Sequence, residues 1–547
     1  MSVPWSAART AAVLATACVV PACGAREETP ASAIRFSDAT RESGLAFVTT
    51  SGATPSTQIL EVKGGGVALI DRDQDGDLDV FVPNGATMVD PEHGPGCRLF
   101  DNAGGLRFRD ATAEAGLGFC RWGIGVTVGD ADSDGHDDLY VTCYGPNALL
   151  RGTGDGRFEE VTERARVGGD VWSAAAAFGD LDLDGDLDLY VANYLRFDVA
   201  HPPPTSSFKG APVFTGPIGL PPEPDVLYEN LGDCTFRDIT EAAGCRSVAP
   251  AFGLGTVILD FDLDGKQDIY VGNDSTPNFL FRNQGGLRFR ETGLVSGIAF
   301  NVDGAAQSTM GIAIGDVSAS GFPSVFTTNF SNDTNTLHVN RGNGFFDDQT
   351  RRYGLGMVSF PYVGWACGFY DLEHDGDEDL LLFNGHVYPN ATLERMDAEY
   401  DEPPLLYERD GARFVHVARP SPCLAEAHCD RGAAFGDLDR DGDIDVVVSE
   451  LNGPLRVLRN EANSSGWLIV ELSPTALGSR IELFAGGVRQ RRWIYSGGSF
   501  VSASAQVAHF GLPRGTTAVD LAVTWPDGKR QHLEGVAVDQ RIVVRRE

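Results

Sequence analysis

Positive charge is scarce in this chain: 43 Lys and Arg face 77 Asp and Glu, a net charge of -34 over 547 residues. Binding to phosphates rests on Lys/Arg neutralisation and counterion release, so this balance excludes nucleic acid and disfavours an anionic membrane surface. Long apolar runs are missing as well. Beyond the first two dozen residues none approaches the roughly 18 that a spanning helix needs, so the mature chain is not expected to cross a membrane. CxxC pairs and His-rich spacings are absent, which argues against structural zinc. No nucleophile, acid/base or cofactor motif stands out. Disorder does not explain the acidity, because 42% of the residues are hydrophobic. The 66 Gly and 29 Pro point to short strands joined by turns.

The N-terminus carries Arg9 and then the apolar stretch Ala11 to Val20, the pattern of an export signal over residues 1–22. Val20-Pro21-Ala22-Cys23 resembles a bacterial lipobox, with Cys23 as the expected lipid anchor and ordinary signal cleavage as the alternative. Residues 23–33 then form a linker, and the protein is expected at the cell surface, in the periplasm or secreted. Eight cysteines follow: Cys97, Cys120, Cys143, Cys234, Cys245, Cys367, Cys423 and Cys429. An even count in an exported chain fits disulfides. Proximity suggests Cys234 with Cys245 and Cys423 with Cys429.

One segment recurs. DRDQDGDLDVFV from Asp71 returns in variant form from Asp130, Asp180, Asp260, Asp316, Asp371 and Asp437, at intervals of 50 to 80 residues. Such periods suit one four-stranded sheet per repeat. Each loop is followed by an L-F-R-N-like strand, as at Asn102, Asn230, Asn283, Asn340 and Asn460. An F-x-D-x-T-like strand comes next, as at Phe36, Phe108, Phe158, Phe236 and Phe346. The first F-x-D-x-T strand has no L-F-R-N strand before it, and the last L-F-R-N strand has no F-x-D-x-T strand after it. The halves add up only if the chain ends share a sheet, the closure of a propeller. The expected fold is all-β: a seven-bladed β-propeller over 34–462, then a small C-terminal β domain over 463–547.

Six loops place oxygen side chains at positions 1, 3, 5 and 9, with Gly at 6. The sets are Asp71, Asp73, Asp75, Asp79; Asp130, Asp132, Asp134, Asp138; and Asp180, Asp182, Asp184, Asp188. The remaining three are Asp260, Asp262, Asp264, Asp268; Asp371, Glu373, Asp375, Asp379; and Asp437, Asp439, Asp441, Asp445. Four carboxylates on one tight loop repel, and a hard cation taking six to eight oxygens relieves this, so the expected cofactor is Ca2+. An EF-hand would need a bidentate Glu at position 12, where Val82, Val141, Val191, Val271, Leu382 and Val448 stand. The fifth loop keeps only Asp316 among Ser318, Ser320 and Ser324, so weak or no binding is expected there.

These residues resemble FG-GAP/VCBS repeats, which form calcium-bound propellers. The chain as a whole resembles bacterial relatives of cartilage acidic protein, which add a C-terminal ASPIC/UnbV domain. The strongest matches are EVKGGGVALIDRDQDGDLDVFVPNG from Glu61, DIYVGNDSTPNFLFRN from Asp268 and the stretch from Met310 to Leu337, and the tail matches too with GGSFVSASAQVAHFGL from Gly497. In blades of this kind the calcium loops lie on one face and the exits of the second strands open on the other. Those exits carry Asn193, Asn273, Asp274, Asn329, Asn384 and His386, either as turn chemistry or as a convergent polar pocket. An insertion, Leu195 to Asp225, leaves from the same face and could cover it. The leading expectation is an extracellular binding module for a protein or glycan. The alternative is an enzyme, a polysaccharide lyase or a participant in secondary-metabolite biosynthesis, using His386, Tyr388, Lys63 and Glu61.

Overall fold

Alternating apolar runs on either side of each Asp-rich loop fold as antiparallel hairpins, and the L-F-R-N and F-x-D-x-T strands extend each hairpin to four strands. The computed structural model describes residues 32–118, 121–462, 466–485 and 487–547, so the export segment and Cys23 lie outside the described residues. Within them the chain is all-β and propeller-like. Seven four-stranded antiparallel units follow one another, the second and third joined through Trp172↔Tyr144. The first strands of the units are Ala68–Ile70, Trp122–Gly129, Val171–Gly179, Gly253–Leu259, Ile312–Gly315, Gly364–Tyr370 and Asp430–Gly436. Each touches the next, and the seventh touches the first, so the circuit closes.

Closure occurs where the repeat arithmetic requires it. Strand Phe36–Asp38 pairs with Leu455–Asn460 in the register Phe36↔Asn460 and Asp38↔Leu458. The chain's first strand thus becomes the outermost strand of the seventh unit and completes its four. The Asn that ends an L-F-R-N strand ties neighbouring units together. Asn283 Nδ2 donates to Gln267 O of its own unit and to Leu181 O, loop position 2 of the preceding one, at 3.0 and 2.7 Å. Asn102, Asn230, Asn340 and Asn460 reach Leu438, Ala131, Phe261 and Leu372 in the same way. Arg409 takes over this role in the sixth unit, donating to Val317 O.

The C-terminal region forms two sheets, one of three strands around Trp467–Ser473 and one of four around Arg480–Ala485. Between them, residues 496–506 enter the axis of the ring. Ser496 and Gly497 pair with Ile258 and Val257. Val501 O accepts from Val126 N, Ser499 exchanges two backbone bonds with Ile312, Ala503 bonds Val67 and Leu69, and Ala505 N donates to Phe435 O. This segment therefore fills the axis as an extra strand shared among the units, satisfying backbone groups that would otherwise be stranded there.

The two disulfide pairs expected from proximity are corrected, while Cys120 lies outside the described residues. Cys234, Cys245, Cys423 and Cys429 are free thiols. Cys234 and Cys245 lie in separate apolar clusters. Cys423 Sγ approaches Phe36 O while Cys429 Sγ approaches His386 O. Nearness in sequence did not bring either pair together.

Candidate functional site

The seven Asp-rich loops share one backbone geometry. Position 4 is left-handed in every copy, from Gln74 at φ 60° to Arg440 at φ 64°, and the position-6 Gly has positive φ throughout. That Gly N–H donates to the position-1 carboxylate, as from Gly76 to Asp71 at 3.0 Å and from Gly265 to Asp260 at 2.8 Å. The position-9 carboxylate also braces the fold. Asp268 accepts from Phe261 N and from Asn283 N, and Asp79, Asp138, Asp188, Asp379 and Asp445 repeat the pattern.

The carboxylates converge as their spacing predicts. Single oxygens of Asp71, Asp73 and Asp75, of Asp130, Asp132 and Asp134, and of Asp180, Asp182 and Asp184 lie within 4.8 Å of one another. Like charges at that separation repel by about 3 kcal/mol per pair at an effective dielectric of about 20. Burial, followed by this repulsion, pushes the Asp180 carboxyl up to about 6 and that of Asp437 to about 7. Third-strand arginines supply part of the countercharge: Arg151 pairs with Asp132 and Asp134, and Arg282 with Asp262. Even so, Oδ1 of Asp132, Asp180, Asp437 and Asp439 is buried without a donor. Orphaned carboxylate oxygens around a loop with an inward turn suit a hard, oxygen-seeking cation.

On the opposite face the exit asparagines are committed to their own turns. Asn193, Asn273, Asn329 and Asn384 donate through Nδ2 to the carbonyls of Pro224, Pro277, Thr334 and Pro403. Asp274 and His386 differ. Asp274 pairs with Lys63 at 3.1 Å and accepts from Tyr194 Oη at 2.7 Å. Burial would raise its carboxyl, but Lys63 and these hydrogen bonds outweigh that and hold it below the usual value. His386 accepts the Tyr388 N–H on Nδ1, while its buried Nε2 has no partner. Burial, with Arg431 nearby, lowers its imidazole to about 4, so the ring is neutral. Glu61 caps the preceding loop, accepting from the backbones of Ala53, Thr57 and Gln58.

Sequence reasoning did not find Trp365 and Arg431. Arg431 stacks 4.2 Å from the Trp365 ring, Lys63 lies 5.1 Å from it, and Phe500 of the axial segment packs against it at 4.7 Å. The DRGAAF signal around Arg431 reads only as a first strand. The insertion does fold across this face. Its hairpin, Ser206–Phe208 with Ala211–Val213, sends Lys209 to Asn332 and Asp397, each at 2.8 Å. Phe208 and Phe214 pack on Tyr388. A cleft of about 310 Å³ remains beside it, lined by Pro55, Thr57, Val213, Phe214, Tyr388 and Asn390 among others.

The fold and loops define a class: a closed ring of four-stranded antiparallel repeats, each with an Asp-rich loop, and an appended β domain. Residues 130–191 match the FG-GAP-like repeat model, and residues 471–547 match the ASPIC and UnbV model. The chain is similar to cartilage acidic protein 1 of Mus musculus, 26% identical over 317 residues, 56% of this chain and 46% of that one. The human protein is 25% identical over 317 residues, covering 56% of this chain and 45% of its own. The aligned part of the chain thus spans about half the length of the curated relatives it matches. Among solved structures, PorZ of Porphyromonas gingivalis aligns over 88% of this chain and 60% of its own, at 13% identity and a TM-score of 0.41.

Proposed function

We propose that this protein is an exported, calcium-stabilised binding module that offers the face opposite its acidic loops to a protein or glycan partner. The observation that carries the reading is the construction of one acidic loop geometry six times over, with buried carboxylate oxygens left without donors. The residues at positions 1, 3 and 5 would hold the ion, with the position-9 Asp completing the set. When bound, calcium supplies the positive charge that lets these carboxylates sit together. A module of this kind binds through a surface held rigid by its scaffold. The cleft between the insertion and Tyr388 is an open recess on that surface.

Removal of calcium tests the metal. A ligand bound only to the folded state stabilises by about 4 kcal/mol per site at a thousandfold excess over its dissociation constant. Chelation should therefore lower the melting temperature by many degrees, with recovery on adding calcium but not magnesium; an unchanged melt rejects the proposal. Lipid attachment is tested by labelled palmitate incorporation, which Cys23→Ala should abolish. A glycan array read beside polysaccharide digestion tests the partner class, with Tyr388→Ala expected to weaken any binding.

The neutral, unpartnered Nε2 of His386 is what favours an enzyme as the second reading. Uronate-product absorbance lost in His386→Ala would establish it over the binding module.

A further inference from the structure

The fifth loop is one of the places where the C-terminal domain meets the ring. Its backbone is the same as in the other six: Ala319 is left-handed at φ 51°, Gly321 has φ 87°, and Gly321 N–H donates to Asp316 at 3.0 Å. Its ligand set is different. Ser318 Oγ donates to Ser320 Oγ at 2.9 Å, and Ser324 Oγ accepts from Asn340 N at 3.2 Å, the bracing role that the position-9 Asp plays elsewhere. One carboxylate is left, and strand Val488–Trp493 lays an arginine on it. Arg491 Nη1 lies 2.9 Å from Asp316 Oδ2, with the two side chains 11% and 5% exposed. The guanidinium covers the turn itself, because a Cβ built on Gly321 would fall 2.8 Å from Arg491 Cζ. Glu482 fixes its other edge, accepting from Nε at 3.0 Å.

We propose that the fifth loop is not a metal site: the Arg491 guanidinium is its resident cation, and the loop serves as the charged socket that docks the C-terminal domain. The donor set supports this. A hard divalent ion prefers six or more oxygens and several negative charges, whereas one carboxylate matches one guanidinium in charge and in fork geometry. The same pairing explains how a loop can lose three carboxylates and keep its fold. Its ion pair is enclosed between two domains, where screening by salt is weak.

The metal half rests on calcium being the ion of the other loops, so the experiment separates the two. Calcium bound to the full-length protein is counted by equilibrium dialysis with elemental analysis. Wild type and Asp316→Asn should hold the same number of ions, up to six. One ion fewer in Asp316→Asn overturns the proposal. Binding of no ion by either chain overturns the calcium reading and leaves docking to the second measurement.

That measurement is amide hydrogen exchange on the full chain in chelator. Arg491→Met and Asp316→Asn should each speed exchange of Val488–Trp493 at least tenfold. The charge swap Asp316→Arg with Arg491→Asp should restore much of the protection, which separates lost docking from misfolding. Unchanged exchange in both single variants overturns the socket.

Discussion

Lys63 is a cation held in an apolar setting, over the rings of Tyr194 and Trp365, with Asp274 as its counter-ion. Burial lowers the Lys63 ammonium, and Asp274 opposes that. Removing one member of such a pair leaves a bare buried charge, at a cost of about 3–5 kcal/mol. Lys63→Met should therefore destabilise the ring by about that amount in denaturant unfolding, and the double variant Lys63→Met/Asp274→Asn should recover most of the loss. If the double variant is worse than the single one, the pair is not the relevant unit. Glu402 is the contrasting case. It is buried, accepts from Val363 N at 2.8 Å and is pushed up to about 9, chiefly by desolvation. Its unfolded value is about 4.3, so between there and about 9 the unfolded chain loses a proton that the fold retains, and stability drains as pH rises through that window. Glu402→Gln should leave the melt at pH 5 nearly unchanged and flatten its decline towards pH 9. An equally steep decline in the variant would show that Glu402 is not its source.

The strand–loop–strand hairpin is the element in which sequence and structure agree most fully. Its oxygen positions, its Gly and its β-branched second strand recur in one register, so the turn at the position-6 Gly and its N–H bond to position 1 follow from local chemistry. The left-handed position 4, held by residues as different as Leu183 and Arg440, does not. Non-local roles were not legible. Asn283 reads as a strand end, yet its amide bridges two units. Arg491 and Asp316 are 175 residues apart, and nothing in either segment announces the other. The exit asparagines could equally have lined a pocket, and only their turn carbonyls show where the amides go. The same distinction ranks the hairpins. Asp182→Ala removes a carboxylate of the clustered kind and should lower the melt in calcium by several degrees, with a much smaller effect in chelator. Asp316→Ala, which breaks an ion pair to a guanidinium, should cost nearly the same in both. Equal calcium dependence of the two variants would erase the difference drawn between their loops.

The axial segment decides whether ring and C-terminal domain are one cooperative body or two. Repeat rings are stabilised mainly by neighbour contacts, and a small appended sandwich with its own core could melt independently. Residues 496–506 argue against independence, since their backbone is bonded to Val67, Leu69, Val126, Thr256, Ile312 and Phe435, contributions from five of the seven units. Phe500 carries the connection to the far side of the axis, where Trp365 lies between it and the Lys63–Arg431 layer. The axial role was not legible in the sequence, because a strand shared among many partners has no constant alternation and GGSFVSASA stood out only as part of a family resemblance. One glycine makes the arrangement testable. Gly497 has φ 87°, and a Cβ there would lie 2.0 Å from Thr256 O, a backbone atom that cannot yield without breaking the first strand of the fourth unit. Gly497→Val should expel the segment from the axis while leaving both sheets of the C-terminal domain their own cores. Calorimetry in calcium should then change from one transition to two, with the domain melting first. One unaltered transition in Gly497→Val would mean that the cooperativity of the two parts comes from the Arg491 side of the interface and not from the axis.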